Sequence, residues 1–356
     1  MSTNQSKAAT TDSKKRRRWP KVLLGVLGGL LAIVAIAWVV AANRPGLVVN
    51  AIQSAFHKDG TQANSYEPLD QAADGQDENG VYVRANIAYA DEYPNSYLDI
   101  RYASDPAAVD SATHPTMVYI HGGGWFYGSK TKGDPMSVES SNYMMDSIVK
   151  DGYNLVSMDY ALRPDYGFPV PMEQLDQCVR FLQEHAAEYG LDMTNVYFFG
   201  QSAGAVMTTQ YATLVSNPAY ADLMGIHPSL DASVIRAVAI DDAPLDYDDL
   251  DFATKVLVGN YLQETTFVDA SLGERYNPIP YAGEGFPPAL LIASDSYVAD
   301  MKELHAALDG AGVDNELVYP LDDMREHTHH TYITGMKSDP VAQDTFDRKM
   351  PYLDQH

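Results

Sequence analysis

Val196-Tyr197-Phe198-Phe199-Gly200-Gln201-Ser202-Ala203-Gly204 is the stretch on which the reading of this chain turns. Four apolar residues run into Gly-x-Ser-x-Gly, after which Met207, Tyr211 and Leu214 recur at helical spacing. A strand that turns this sharply into a helix holds the central serine in strained backbone and lifts its hydroxyl into a cleft. The new helix also aims its N-terminal dipole at the reaction centre. The motif alone arises by chance in ordinary turns; the flanking strand and helix make Ser202 the expected nucleophile.

Outward from this turn, short apolar stretches alternate with helical patterns from residue 81 onward. That alternation predicts an α/β domain over 81–356, a mainly parallel central sheet with helices on both faces. Strands are expected at 81–88, 97–102, 116–120, 153–158, 196–199, 237–240, 289–293 and 316–319, the first ones pairing antiparallel. Helical periodicity marks 171–189 through Leu175, Cys178, Val179 and Leu182, and 300–311 through Met301, Leu304 and Leu308. Residues 241–287 are long for a strand connection and contain a helical stretch near 252–262, so they are expected to form a small partial cap.

The chain has 356 residues, 46% of them hydrophobic, enough for a full core, and a formal charge of −24 that is unevenly divided. Residues 1–21 hold seven Lys or Arg against Asp12 alone, a net +6, which leaves −30 on the remainder. So acidic a body repels nucleic acid and other anionic polymers and suits a neutral or cationic substrate. The single cysteine, Cys178, excludes an intramolecular disulfide and reads as a buried small apolar residue.

Residues 22–42 are uncharged and rich in Leu, Val, Ile and Ala, about the 20 residues a helix needs to span a bilayer. Lys14, Lys15, Arg16, Arg17, Arg18 and Lys21 precede this transmembrane stretch, while Arg44 and Lys58 are the nearest charges after it. Positive-inside bias then puts a basic tail, 1–21, in the cytoplasm and the body outside the cell membrane. A cleaved signal peptide is the alternative, with Val40-Ala41-Ala42 as its site, although its apolar core is usually only about 7–15 residues. Residues 43–80 are expected to be a juxtamembrane tether, a short amphipathic helix at 44–57 followed by a stretch rich in Gly, Asn, Gln and Asp.

Directly after the strand at 116–120 comes His121-Gly122-Gly123-Gly124-Trp125. Three adjacent glycines add backbone entropy that folding must remove, so they need a reason beyond linkage. Glycine lets backbone N–H groups converge on a developing oxyanion where a Cβ would collide. Gly123 and Gly124, with Ala203 after the nucleophile, are the expected donors; His121 reads as a brace for the loop and Trp125 as packing beside the pocket.

A serine hydroxyl becomes a competent nucleophile when an imidazole takes its proton, and a carboxylate must fix that imidazole's tautomer. In a strand-elbow-helix enzyme the chain order is serine, acid, histidine. Asp295 closes the apolar run at 289–293 and is the expected acid, with Asp300 as rival at the start of the next helix. The base is one of His327, His329 and His330. No metal is expected at those histidines, which lack an assigned carboxylate partner and a His-Glu-x-x-His helix. Asp241, Asp242, Asp246, Asp248, Asp249 and Asp251 match no EF-hand spacing and read as a solvated acidic loop near the cap.

Over about residues 81–335 the chain resembles the hormone-sensitive-lipase-like and related carboxylesterase branch of the α/β-hydrolases. The resemblance rests on His121-Gly122-Gly123-Gly124-Trp125, on Asp159-Tyr160 with Arg163-Pro164 and Pro169, on Gly-x-Ser-Ala-Gly, and on the Asp295 region. It implies an α/β-hydrolase fold and hydrolysis of small-molecule carboxylic esters through an acyl-enzyme, without a cofactor. In that family the base often stands two positions before an aromatic residue, so His330-Thr331-Tyr332 makes His330 the implied choice. Gln201 departs from the acidic residue common before the serine, and Asp159-Tyr160-Ala161-Leu162-Arg163-Pro164 from the usual Asp-Tyr-Arg-Leu-Ala-Pro; both bear on pocket shape. A short acyl chain is the expected preference, with a serine peptidase or amidase and a non-catalytic surface binding protein as the alternatives.

Overall fold

A computed structural model describes residues 34–56, 63–70, 72–107, 111–137 and 139–356. The apolar stretches form strands β1 (Gly75–Gln76), β2 (Tyr82–Ala88), β3 (Tyr97–Tyr102), β4 (Pro115–Ile120), β5 (Asn154–Met158), β6 (Asp192–Gln201), β7 (Ile235–Asp241), β8 (Ala289–Ile292) and β9 (Asn315–Val318). They lie in one sheet in the order β1-β2-β3-β5-β4-β6-β7-β8-β9. The first three pair antiparallel, β3 meets β5 antiparallel, and β4 to β9 pair in parallel with one another. Every expected strand is present.

Between and around them run α1 (Val34–Asn43), α2 (Pro45–Phe56), α3 (Asn142–Lys150), α4 (Val170–Tyr189), α5 (Ala203–Ser216), α6 (Pro218–Met224), α7 (Phe252–Gln263), α8 (Ala270–Tyr276), α9 (Val298–Gly310), α10 (Pro320–Asp323) and α11 (Pro340–Lys349). Successive side chains of a strand point to opposite faces. Val118 and Ile120 of β4 and Phe198 of β6 therefore join the core under α4, α5 and α9, while Met117, Tyr119, Tyr197 and Phe199 join the core under α3 and α11. Both faces are covered, which is why these strands are apolar throughout. Helix α5 is buried at every residue from Ala203 to Leu214, so the element that carries the serine turn is held on all sides.

The N-terminal expectations fare unevenly. Residues 1–33, which include the basic tail and most of the 22–42 stretch, lie outside the described residues. Among the described residues no single helix is long and apolar enough to cross a membrane; α1 and the following helical segment are bent by 98°. Where it is described, the stretch 43–80 is no loose tether. Val49 of α2 is buried against Phe126 and Tyr127, Asn64 Nδ2 donates to the Leu162 carbonyl at 2.8 Å, and Asp70 pairs with the buried Lys130. The reason is compositional: α2 carries no charge, and an uncharged helix beside an apolar surface is more stable packed than solvated.

Residues 242–288 supply α7 and α8, in keeping with a partial cap, and α2 completes it by packing on α7. Trp125 fixes this cap to the glycine loop by stacking on Tyr261 of α7, centroids 4.0 Å apart and planes within 4°.

Candidate active site

Ser202 sits at the N-cap of α5 with φ 52° and ψ −116°, a conformation that L-residues avoid unless the surroundings enforce it. Its amide donates to the Asp241 carbonyl at 2.9 Å. The two motif glycines are demanded by contact: a Cβ on Gly200 would stand 2.1 Å from the Gly204 carbonyl oxygen, and one on Gly204 2.1 Å from that of Ile120. Strand and helix thus approach too closely for any side chain at either position.

The glycine loop lies directly against this turn, since a Cβ on Gly122 would come within 3.2 Å of Ser202 Cβ. Gly123 and Gly124 have φ of 107° and 56°, and a Cβ on Gly123 would fall 2.0 Å from the Tyr127 carbonyl oxygen. Among the described residues the amides of Gly123, Gly124 and Ala203 donate no hydrogen bond. Ala203 opens α5, where amides have no intrahelical acceptor. The imidazole of His121 is buried, donates from Nδ1 to the Gly122 carbonyl at 2.6 Å and stacks on Tyr160 at 4.3 Å. Burial pushes its pKa down to about 4, so it is a neutral brace.

His330 is brought to Ser202 from the far end of the chain, its Nε2 accepting from the Ser202 hydroxyl at 2.7 Å. What aims it is the next segment. Thr331 takes a left-handed conformation, and the 3₁₀ turn Tyr332–Gly335 sinks Tyr332 and Ile333 into the core. Ser137 reaches the Thr331 hydroxyl at 3.1 Å, and the Tyr297 ring stands edge-on to the imidazole at 4.9 Å.

The carboxylate behind the imidazole is that of Asp242, not Asp295. Nδ1–H of His330 donates to Asp242 Oδ2 at 2.6 Å. Asp242 follows β7 directly, is fully buried, and also accepts from the amide of Ser294 at 2.9 Å and from its hydroxyl. Asp295 lies one loop away, where it accepts from Tyr319 at 2.8 Å and pairs with the exposed His327 at 2.7 Å. These two bonds, Tyr319's first, hold its carboxyl below the usual range. The end of β8 therefore supports the acid through Ser294 instead of supplying it. His329 is exposed, and the three histidines are not gathered into one cluster.

The expected solvated acidic loop splits in two. Asp248, Asp249 and Asp251 are exposed, but Asp241 and Asp242 are wholly buried. The signal for these two is present in the sequence: both continue an apolar strand, Ala237 to Ile240, without an intervening turn residue. Asp300, the rival acid, instead accepts from the Leu245 amide at 2.7 Å and anchors the cap.

Two further carboxylates lie behind the site. Gln201 Nε2 donates to Asp241 Oδ2 at 2.9 Å, while Gln201 Oε1 accepts from Tyr119 at 2.6 Å and Ser141 at 3.2 Å. An acid at position 201 would face Asp241 with like charge, which accounts for the glutamine. Burial, and then the charge of Asp242, pushes Asp241 up to about 7. Asp134 is buried beside Gly122 and raised by that burial. Burial on its own lowers His330; the bond to Asp242 and the charges of Asp242, Asp241 and Asp134 outweigh it, and its pKa is raised. Such an arrangement has the geometry to accept a serine proton at the imidazole and to stabilise an imidazolium.

This architecture recurs in solved structures. Esterase B from Lactobacillus rhamnosis superposes with a TM-score of 0.65 at 21% identity, covering 87% of this chain and 94% of that one, which shows the α/β-hydrolase fold. Carboxylesterase NlhH from Mycobacterium tuberculosis is 29% identical over 212 residues, 57% of this chain; the match spans 63% of that relative's length. An esterase from Gibberella moniliformis is 23% identical over 305 residues, covering 81% of this chain and 88% of its own. A family model described as BD-FAE matches residues 98–302, a stretch that holds the glycine loop, Ser202 and Asp242. Because that match spans more than half of its length, the chain belongs to the BD-FAE family.

Proposed function

We propose that the protein hydrolyses carboxylic esters through an acyl-enzyme, with Ser202 as nucleophile, His330 as general base and acid, and Asp242 orienting His330. The observation that carries this reading is the unbroken hydrogen-bonded chain from Ser202 Oγ through both ring nitrogens of His330 to Asp242. Ser202 Oγ attacks the ester carbonyl as Nε2 takes its proton, and the amides of Gly123, Gly124 and Ala203 receive the oxyanion. Collapse expels the alcohol, protonated by His330, and a water molecule repeats the sequence on the acyl-enzyme. No metal or cofactor takes part.

The kinship with proteins named esterase and carboxylesterase supports the substrate class. The reading includes a preference for short acyl chains, supported by the buried, stacked rings of Trp125 and Tyr261 where the cap meets the glycine loop. We further propose that residues 22–42 span the cell membrane with the N-terminus in the cytoplasm, a reading supported by their apolar composition and the basic cluster before them.

Labelling with a fluorophosphonate probe, lost in Ser202→Ala, is the expected outcome, together with hydrolysis of p-nitrophenyl esters that exceeds hydrolysis of the matching anilides. Wild-type turnover by Ser202→Ala would overturn the mechanism.

A further inference from the structure

Helix α2 has an unusual outward face. Pro45, Val49 and Gln53 are buried against the body, whereas Leu47, Ala51 and Ala55 form an exposed stripe on the opposite side. A helix on the surface of a soluble protein carries polar and charged residues on that side. Here residues 34–56 contain one charged residue, Arg44 at the bend, in a chain whose residues 22–356 carry −30. Leu47 is 61% exposed, and nearby stand Trp38 at 53% and Phe267 at 62%.

Helix α1 packs on the cap and its end borders the exposed stripe of α2. Trp38 stacks on Phe252 at 5.5 Å, the side chain of Thr266 binds the Ala41 carbonyl at 3.0 Å, and an open apolar groove of about 590 Å³ runs between Val40, Leu47, Val48 and Ala51. The surface also adjoins the site. Gln53 Nε2 donates to the carbonyls of Phe126 at 2.5 Å and Arg163 at 2.7 Å, two residues past the glycine loop and on the loop that faces it. On the other side, Thr254 of α7 meets the Tyr297 hydroxyl at 3.1 Å, and the Tyr297 ring touches His330.

We propose that α2 lies in the surface of the lipid bilayer, with Leu47, Ala51 and Ala55 in contact with lipid, so that the active site takes esters dissolved in the membrane. The occupant is a bilayer because α1 continues an uncharged apolar stretch, residues 22–33, that lies outside the described residues and follows seven basic residues. A bend of 98° turns a helix that enters along the membrane normal into one that lies in the membrane plane. Arg44 at that bend sits where a guanidinium reaches lipid phosphate. The glycine loop is then separated from lipid by one helix diameter, about 10–12 Å. The preferred substrate is a short-acyl ester of an apolar alcohol, which partitions into the bilayer.

The proposal rests on the membrane attachment and ester hydrolysis proposed above, and its test separates the three. The full chain is reconstituted in vesicles of phosphatidylcholine and phosphatidylglycerol in a 3:1 ratio. A polarity-sensitive dye is placed on Ala51→Cys or, as control, on Asp222→Cys, the native Cys178 being buried. Spin-labelled lipid quenches the dye at position 51 and not at 222 if α2 contacts lipid. Equal exposure to water at both positions, in chain that resists carbonate extraction, overturns the proposal while leaving the anchor intact; extraction by carbonate overturns both. In the same vesicles Leu47→Asp lowers turnover of a lipid-dissolved ester at least tenfold and of a water-soluble ester less than twofold. Equal loss on the two substrates overturns the proposal, and absence of turnover on either by the wild type overturns the ester reading, with the dye arm still informative about α2.

Discussion

Ser294 donates both its backbone amide and its hydroxyl to the carboxylate of Asp242. With His330 on the remaining side, this buried acid has charge-assisted partners that fix its orientation, and the residue that follows, Asp295, is left to pair with Tyr319 and His327 at the surface. The carboxylate that serves the site thus comes from β7, beside the nucleophile strand, and its support comes from the end of β8.

Substitution of the two carboxylates separates them. Asp242→Asn lowers kcat by about 10³–10⁴, because an amide no longer selects the tautomer in which Nε2 accepts the serine proton. Asp295→Asn changes kcat by less than about threefold, since its partners are Tyr319 and the exposed His327, neither of which is bonded to Ser202 or His330. Steady-state hydrolysis of a p-nitrophenyl ester by both variants gives the comparison; equal losses would return the role to Asp295.

The raised pKa of His330 sets the acid limb of the pH profile. Below that pKa the ring is an imidazolium and cannot accept the serine proton, so kcat/KM rises with pH through a midpoint above the ordinary histidine value of 6.5. In Asp242→Asn the midpoint of the residual activity moves to lower pH, because the principal group that favours the charged ring is gone. The ion pair with Asp242 stabilises the fold at low pH and loses that contribution as pH climbs through the raised pKa.

Asp241 gives a stability effect of its own. Its carboxyl is raised from 3.8 to about 7 by burial, so the folded chain binds this proton more tightly than the unfolded one and loses stability as pH rises between those values. Asp241→Asn, whose amide oxygen still accepts from Gln201, raises Tm at pH 8 by a few degrees and by less at pH 5. Thermal melts at the two pH values read this directly, and an equal or opposite gain at pH 5 contradicts it.

The link between α2 and the glycine loop is tested at Gln53. Gln53→Ala leaves the buried carbonyls of Phe126 and Arg163 without a donor, at a cost of about 1–3 kcal/mol for each. Both Tm and kcat fall, kcat by about tenfold with KM little changed if the oxyanion donors lose their aim. Gln53→Glu is worse than alanine, because a carboxylate meets the two carbonyls with no hydrogen to offer. Wild-type kcat in both variants would show that α2 does not position the loop.

Local backbone demands are written in adjacent residues, and those were legible. The serine turn, the glycine loop, the strands and the cap helix follow from apolar period, from glycines where no Cβ fits, and from turn residues, each settled within a few positions of itself. The strained Ser202 turn and the glycine loop that the structure sets against it were expected in this way. His330 could be narrowed to one of three neighbours, and resemblance pointed to the one that the structure places on Ser202. What only the tertiary structure decided is convergence. Asp242 and His330 are 88 residues apart, and whether Asp242 or Asp295 reaches the imidazole depends on how β7, β8 and the loop after β9 are staggered across the sheet. The same holds for α2, whose sequence allows a free tether and whose buried Val49 and Gln53 tie it to the body. A chain segment declares its own conformation through sterics and solvation, but the partner of a side chain is set by the packing of every element between them.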